Sequence, residues 1–145
     1  MARAREYFYW IDRQGSLFHD GSELVDARFL DFFFRRLKAN DTGLHPDHEW
    51  VSPCGPELNF ARCAVTPIVF RKLAAGRQLL YAGTLHVPFE PGALHVSEDG
   101  RLWHPAPVGE RGLLGANITL RLGASIREEP GGYVLEWDGT EHVLG

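Results

Sequence analysis

Turn chemistry interrupts this chain so often that only one stretch has the length and period of a helix. Sixteen glycines and nine prolines are spread over 145 residues. Glycine opens backbone conformations closed to other residues, and proline removes an amide donor, so each cluster ends a regular element. Asp12-Arg13-Gln14-Gly15, His19-Asp20-Gly21-Ser22, Pro53-Cys54-Gly55-Pro56, Val65-Thr66-Pro67 and Ala74-Ala75-Gly76 all punctuate in this way. Between them lie short strands at 7–11, 16–19, 49–52, 58–63, 68–73 and 78–81. Further strands at 85–87, 93–96 and 101–104 follow, split by the Pro88–Gly92 and Ser97–Gly100 turns. The strands at 133–137 and 141–144 are joined by Asp138-Gly139, a hairpin signature.

The exception is the stretch 26–38. Phe29, Leu30, Phe33, Phe34 and Leu37 recur with the spacing of one apolar helix face, and Asp26 is placed to cap its first turn. Arg35, Arg36 and Lys38 gather where they complement the helix dipole. Near the end of the chain, Ala116, Ile118, Leu120, Leu122, Ala124 and Ile126 alternate with more polar residues. That period of two predicts a long strand with one buried face. The implied fold is α+β and mostly antiparallel: one domain over 1–145, with a single short helix on a strongly curved sheet. Gly15-Ser16-Leu17-Phe18-His19 echoes Gly100-Arg101-Leu102-Trp103-His104, each after an acidic turn. The echo is short, and a helix at 26–37 against a strand at 116–127 speaks against a true repeat.

Charge excludes some classes of function. The formal net charge is −4, with no basic run, which argues against nucleic acid as a partner. Lys38 and Lys72 are the only lysines among 15 basic residues. Arginine favours bidentate anion contacts, and GC-rich codon usage explains the bias equally well. No apolar run approaches the ~20 residues that span a bilayer, so no membrane association is expected. MARAREYFYW lacks the apolar core of a leader, and two cysteines do not make a disulfide framework. A cytoplasmic location follows.

Candidate site residues concentrate beside proline and glycine. In the 52–63 stretch, Cys54, Glu57, Asn59 and Arg62 offer a thiol, a carboxylate, an amide and a guanidinium. Alternation puts Leu58, Phe60 and Arg62 on one face and Asn59, Ala61 and Cys63 on the other. Glu90 follows a strand, while Arg101 and His104 lie in another, and together they form a set able to bind a carboxylate or relay a proton. One ligand cleft uniting the two groups would suit a small polar ligand of mixed charge. His45-Pro46-Asp47-His48-Glu49 looks metal-like but lacks a full ligand set, so no metal is assigned. Nothing calls for a cofactor: the Walker, nucleophile-elbow and His-Glu-x-x-His patterns are absent. Gly109, Gly112 and Gly115 lack the strand–helix setting of a dinucleotide fingerprint and read as a loop.

Four of these stretches occur in the order found in a known family. Arg5-Glu6-Tyr7-Phe8-Tyr9, Ser52-Pro53-Cys54-Gly55 with Asn59-Phe60-Ala61-Arg62-Cys63, Val87-Pro88-Phe89-Glu90-Pro91, and Gly100-Arg101-Leu102 with His104-Pro105-Ala106-Pro107 resemble uncharacterised protein family 0598. The resemblance covers about residues 5–125 and implies no activity. Animal members carry a segment resembling a mitochondrial presequence; its absence here implies a bacterial-type cytosolic member. The hairpin–helix–hairpin order of the first half also resembles another uncharacterised bacterial family. The residues point to a non-catalytic module that binds a small polar ligand or a protein partner. The alternative is a small enzyme using a Cys/Glu/His polar cleft.

The cytosolic reading has a direct check. Thiol titration after denaturation without reductant is expected to find both Cys54 and Cys63 free. Finding no free thiol would show a bridge and overturn the compartment.

Overall fold

In the computed structural model, residues 5–145 are described. Residues 1–4, which open the stretch read for a leader, lie outside them. The first half contains β1 (Arg5–Ile11), β2 (Leu17–His19), β3 (Ser22–Leu24), α1 (Ala27–Arg35), β4 (Lys38–Ala39), β5 (Trp50–Cys54) and β6 (Glu57–Cys63). These strands form one sheet in the order β3-β2-β1-β6-β5-β4. β1 and β6 run parallel from Arg5↔Glu57 to Ile11↔Cys63, and the other pairs are antiparallel.

Parallel neighbours need a long crossover, and this one carries α1 onto the sheet. The Asp26 carboxylate accepts from Phe29 N, so the expected cap is present. Phe33 and Phe34 are buried, and Phe33 packs 5.1 Å from the Tyr9 ring. Phe32, off the apolar stripe, lies under the Arg36 guanidinium at 3.8 Å.

A linker follows with β7 (Val69–Phe70), β8 (Lys72–Ala74), β9 (Gln78–Leu80) and β10 (His86–Pro88). The single strand expected at 68–73 splits at Arg71, whose side chain reaches back to the first half. Its Nε donates to Gln14 O at 2.9 Å and its Nη2 to Ser16 Oγ at 2.6 Å. β8, β9 and β10 form a small antiparallel sheet.

The second half contains β11 (His95–Val96), β12 (Leu102–Pro105), β13 (Arg111–Leu114), α2 (Ala116–Gly123), β14 (Ile126–Glu129), β15 (Gly132–Trp137) and β16 (Thr140–Leu144). α2 corrects the expected long strand at 116–127. Ile118 and Leu122, four residues apart, are buried, whereas Leu120 between them is 79% exposed. The apolar residues fit both periods, and only the helical one matches the burial. The architecture remains α+β and mostly antiparallel. Among the described residues it has two α-helices and four hydrogen-bonded sheets, where the sequence predicts one helix on one sheet.

With α2 in place, the objection to a repeat disappears. Each half runs strand–strand–strand–helix–strand–strand–strand. Trp10↔Phe18 and Ile11↔Leu17 correspond to His95↔Trp103 and Val96↔Leu102. Both turns are closed alike: Gly15 N donates to Asp12 O, and Gly100 N to Ser97 O. Gly15 and Gly100 adopt φ of +83° and +81°, the left-handed region glycine favours. The two-residue turns Gly55-Pro56 and Asp138-Gly139 join β5 to β6 and β15 to β16. The closure differs. The long β1–β6 ladder is reduced in the second half to Val96 N donating to Gly145 O at 3.3 Å.

One cluster of buried side chains runs through both halves, including Ile11, Leu17, Phe33, Phe70, Leu79, Leu94, Leu122 and Leu135. Phe33 is fully buried in it. Phe33→Ala is expected to cost about 3–5 kcal/mol in urea unfolding, the range for deleting a buried aromatic. A loss under about 1 kcal/mol would place α1 outside the core.

Candidate functional site

The seven residues singled out in the sequence fall into several environments. Cys54, Glu57 and Asn59 share the β5–β6 hairpin. Asn59 is buried and donates to Ser52 O at 3.1 Å. Ser52 Oγ donates to Phe33 O at 2.7 Å and lies 3.6 Å from Cys54 Sγ. These bonds tie the hairpin to α1. Burial pushes the Tyr9 hydroxyl pKa up, and Glu57, Cys54 and Tyr7 nearby add to the rise. Burial pushes the Cys63 thiol pKa up. Arg62 is exposed beside Trp10 on the other face of the sheet.

Glu90 and His104 do meet, through the backbone. His104 is 1% exposed, and its Nε2 accepts from Glu90 N at 3.0 Å. Its Nδ1 lies 2.8 Å from Pro105 O, a carbonyl that only accepts, so Nδ1 carries the proton. Burial lowers its pKa, opposed by the Pro105 bond and by Glu90. A neutral ring with both nitrogens engaged has no free site for proton transfer. It anchors the Phe89–Glu90 segment and packs against Phe89 and Phe70. Arg101 pairs with Asp99 at 3.1 Å within its own turn. Among the described residues, no hydrogen bond or ion pair joins the β5–β6 hairpin to the Glu90–His104 pair.

The His45–Glu49 stretch covers aromatic rings. The His45 ring centre stands 4.8 Å from Phe8 and 4.7 Å from Phe60, and its Nε2 lies 2.8 Å from Glu6 Oε2. Among the described residues, no group of three His, Cys, Asp or Glu side chains is set to hold a metal ion.

A cleft that the sequence did not mark lies between the halves. Arg13, Gln14, Ser16, Arg71, Leu113, Gly115 and Asn117 help to line about 550 Å³. Arg71 is fixed by Gln14 O and Ser16 Oγ, and both arginines are exposed. Among the described residues, no acidic side chain contributes to this wall. The first turn of α2 opens into the same cleft without a capping side chain. Packing explains the missing cap: a Cβ at Gly115 would stand 2.9 Å from Phe70 O, so no Ser, Asp or Asn fits. Arg13 and Arg71 belong to the arginine bias noted above. Gly115 is the last glycine of the spaced trio, and it does open a helix.

A family model described as "Domain of unknown function (DUF4505)" matches residues 1–145. The chain belongs to this family. Its expected place in an uncharacterised family therefore stands. The fold resembles a DUF1285 family protein from Silicibacter pomeroyi DSS-3, with TM-score 0.65 and 16% identity over 96% of this chain and 80% of that one. It also resembles a DUF1285 family protein from Shewanella baltica OS155, with TM-score 0.59 and 14% identity over 81% and 91%. At such identity the DUF4505 chain shares the fold with them, and no activity follows. No helix in its described residues is long and apolar enough to cross a membrane.

The lowered pKa of His104 has a stability consequence. A histidine kept neutral in the fold contributes fully above its unfolded pKa, near 6.5. As pH falls below that value, the unfolded chain takes up the proton first and the contribution is lost. His104→Gln preserves an acceptor for Glu90 N and is expected to cost about 1–3 kcal/mol at pH 7.5. The urea-midpoint gap between wild type and variant should narrow by pH 5.5. A gap independent of pH would show that His104 is not held neutral.

Proposed function

We propose that this chain is a non-catalytic binding module that takes a small anion in the cleft between its two repeats. The observation that carries the reading is the convergence of Arg13, Arg71 and the uncapped first turn of α2 on one wall free of carboxylates. Guanidinium groups present several donors in a fixed plane, matched to carboxylate and phosphate oxygens. First-turn N–H groups of a helix lack internal partners and favour negative charge. The volume, about 550 Å³, lies within the range of small-molecule sites. Gln14 and Asn117 supply the neutral polar groups that would orient a ligand.

The ligand in this reading is small rather than a nucleic acid, in keeping with the net charge of −4. Two free cysteines favour a reducing, cytoplasmic setting. The engaged ring of His104 weighs against the Cys/Glu/His enzyme alternative.

Thermal unfolding at constant ionic strength tests the proposal with phosphate, sulfate and citrate as probes. A ligand bound only by the fold stabilises by about 2.7 kcal/mol at a hundred times its Kd. At least one probe is expected to raise the midpoint in wild type and not in Arg13→Gln. Arg71→Gln should lose the response as well, with a lower starting midpoint because Arg71 also ties the linker to Gln14 and Ser16. Equal shifts in wild type and both variants would sink the anion site.

A further inference from the structure

The two repeats carry the same face, and it is covered in only one of them. In the first, residues 69–84 lie over the β1–β2 turn and α1. A Cβ at Gly15 would stand 2.9 Å from Val69 Cβ. Arg71 binds Gln14 O and Ser16 Oγ. Gly83 backs onto α1, where a Cβ would stand 2.8 Å from Ala27 O. Thr84 donates its N–H and hydroxyl to Asp31.

The strand registers and helix starts map Gly15, Ser16, Leu24, Ala27, Leu30 and Asp31 onto Gly100, Arg101, Leu114, Ala116, Thr119 and Leu120. Those six, with Leu113, line an open groove of about 360 Å³. A Cβ at Gly100 would meet nothing within 4 Å, and neither would one at Gly123. Gly123 occupies the place of Phe34, which fills this position in the first repeat. A neighbouring cavity of about 320 Å³, sharing Gly100 and Thr119, extends the opening to Ile126 and Tyr133.

We propose that this groove docks a hairpin-forming segment of another polypeptide, as residues 69–84, folded back through β8 and β9, cover the first repeat. The substitutions between the repeats specify its chemistry. An open Gly100 receives a β-branched residue, as Gly15 receives Val69. Leu120 replaces the Asp31 that held polar groups of Thr84, so the segment is apolar there. The cation changes sides beside the turn. In the first repeat the covering segment brings the cation, Arg71; in the second the groove itself carries Arg101. The segment therefore brings a carboxylate. Arg101 uses Nε on Asp99, leaving its terminal nitrogens for the incoming group. A second copy is a poorer occupant, because its own residues 69–84 are already engaged on its first repeat.

A labelled synthetic peptide copying residues 66–85, with Arg71→Glu and Thr84→Val, serves as the probe in fluorescence anisotropy against the full chain. Saturable binding is expected, weakened about tenfold or more by Leu120→Asp and by Arg101→Gln, which removes the guanidinium that the segment's carboxylate would pair with. Unchanged urea midpoints for both variants establish that they fold. The peptide retaining Arg71 should bind more weakly than the Glu form. Arg13→Gln, altered only in the anion cleft, should bind the peptide like wild type, so the two proposals fail separately. No saturation below about 1 mM, or equal binding by wild type and both groove variants, would overturn the docking site. So would a dimer in sedimentation that the peptide disperses and Leu120→Asp abolishes, because the occupant would then be a second copy.

Discussion

The parallel ladder between β1 and β6 is the contact on which the rest of the molecule depends. Two parallel strands cannot be joined by a tight turn, so the chain must cross from the end of β1 at Ile11 to the start of β6 at Glu57 through a long connection. Everything between them is consequently placed against that pair: the β2–β3 hairpin on one side, β5 and β4 on the other, and α1 across the Tyr9 face. In the second repeat the same connection closes with a single hydrogen bond from Val96 to Gly145. Its two sheets remain separate, and β13 pairs in parallel with β7 of the linker instead. That pairing brings Phe70 O against Gly115 and leaves α2 without a capping side chain. The cleft thus follows from how the second repeat is completed.

Elements whose signals are local were legible in the sequence. The α1 stripe, its Asp26 cap and the Asp138-Gly139 hairpin depend on neighbours a few residues away and appear where the pattern places them, although α1 ends at Arg35 rather than near Lys38, which begins β4. The 116–127 segment fails for a physical reason. Ile118 and Leu122 satisfy a helical face, while Ala116, Ile118, Leu120 and Leu122 satisfy alternation, and nothing within the segment separates the two. The decision is tertiary: only a helix buries Ile118 and Leu122 while releasing Leu120. The strand at 68–73 divides for a similar reason, since Arg71 is drawn toward Gln14 and Ser16, far away in sequence.

The same distinction governs the candidate site. Glu57, Asn59, Glu90 and His104 stand beside turns where polar side chains often serve ligands. Here Asn59 and His104 satisfy backbone groups inside the core, and His104 uses both ring nitrogens to do so. A sequence shows that a histidine is present and leaves open whether its ring faces a cavity or a carbonyl. Arg13, Arg71 and Asn117 come from three separate stretches, and no motif unites them. Their convergence was hidden further because Gly115 read as part of a loop and the residues after it as a strand.

Repetition of one framework makes the differences between the halves informative. Phe34 against Gly123, Asp31 against Leu120 and Ser16 against Arg101 occupy matching positions, yet each changes what the face can accept. In the first repeat, Phe34 and Asp31 complement a segment supplied by the chain itself, so that face is internal. In the second, loss of the phenyl ring leaves space, and loss of the carboxylate leaves an exposed leucine. A single exposed leucine needs no explanation on a protein surface. Leu120 differs because it borders a groove with Leu113, Leu114 and Ala116, and the matching face of the first repeat is covered by a folded-back segment of the chain. Burying such a side chain is worth about 1.5–3 kcal/mol. That is enough to favour a segment carrying complementary apolar residues, and too little to hold one without further contacts such as the charge at Arg101.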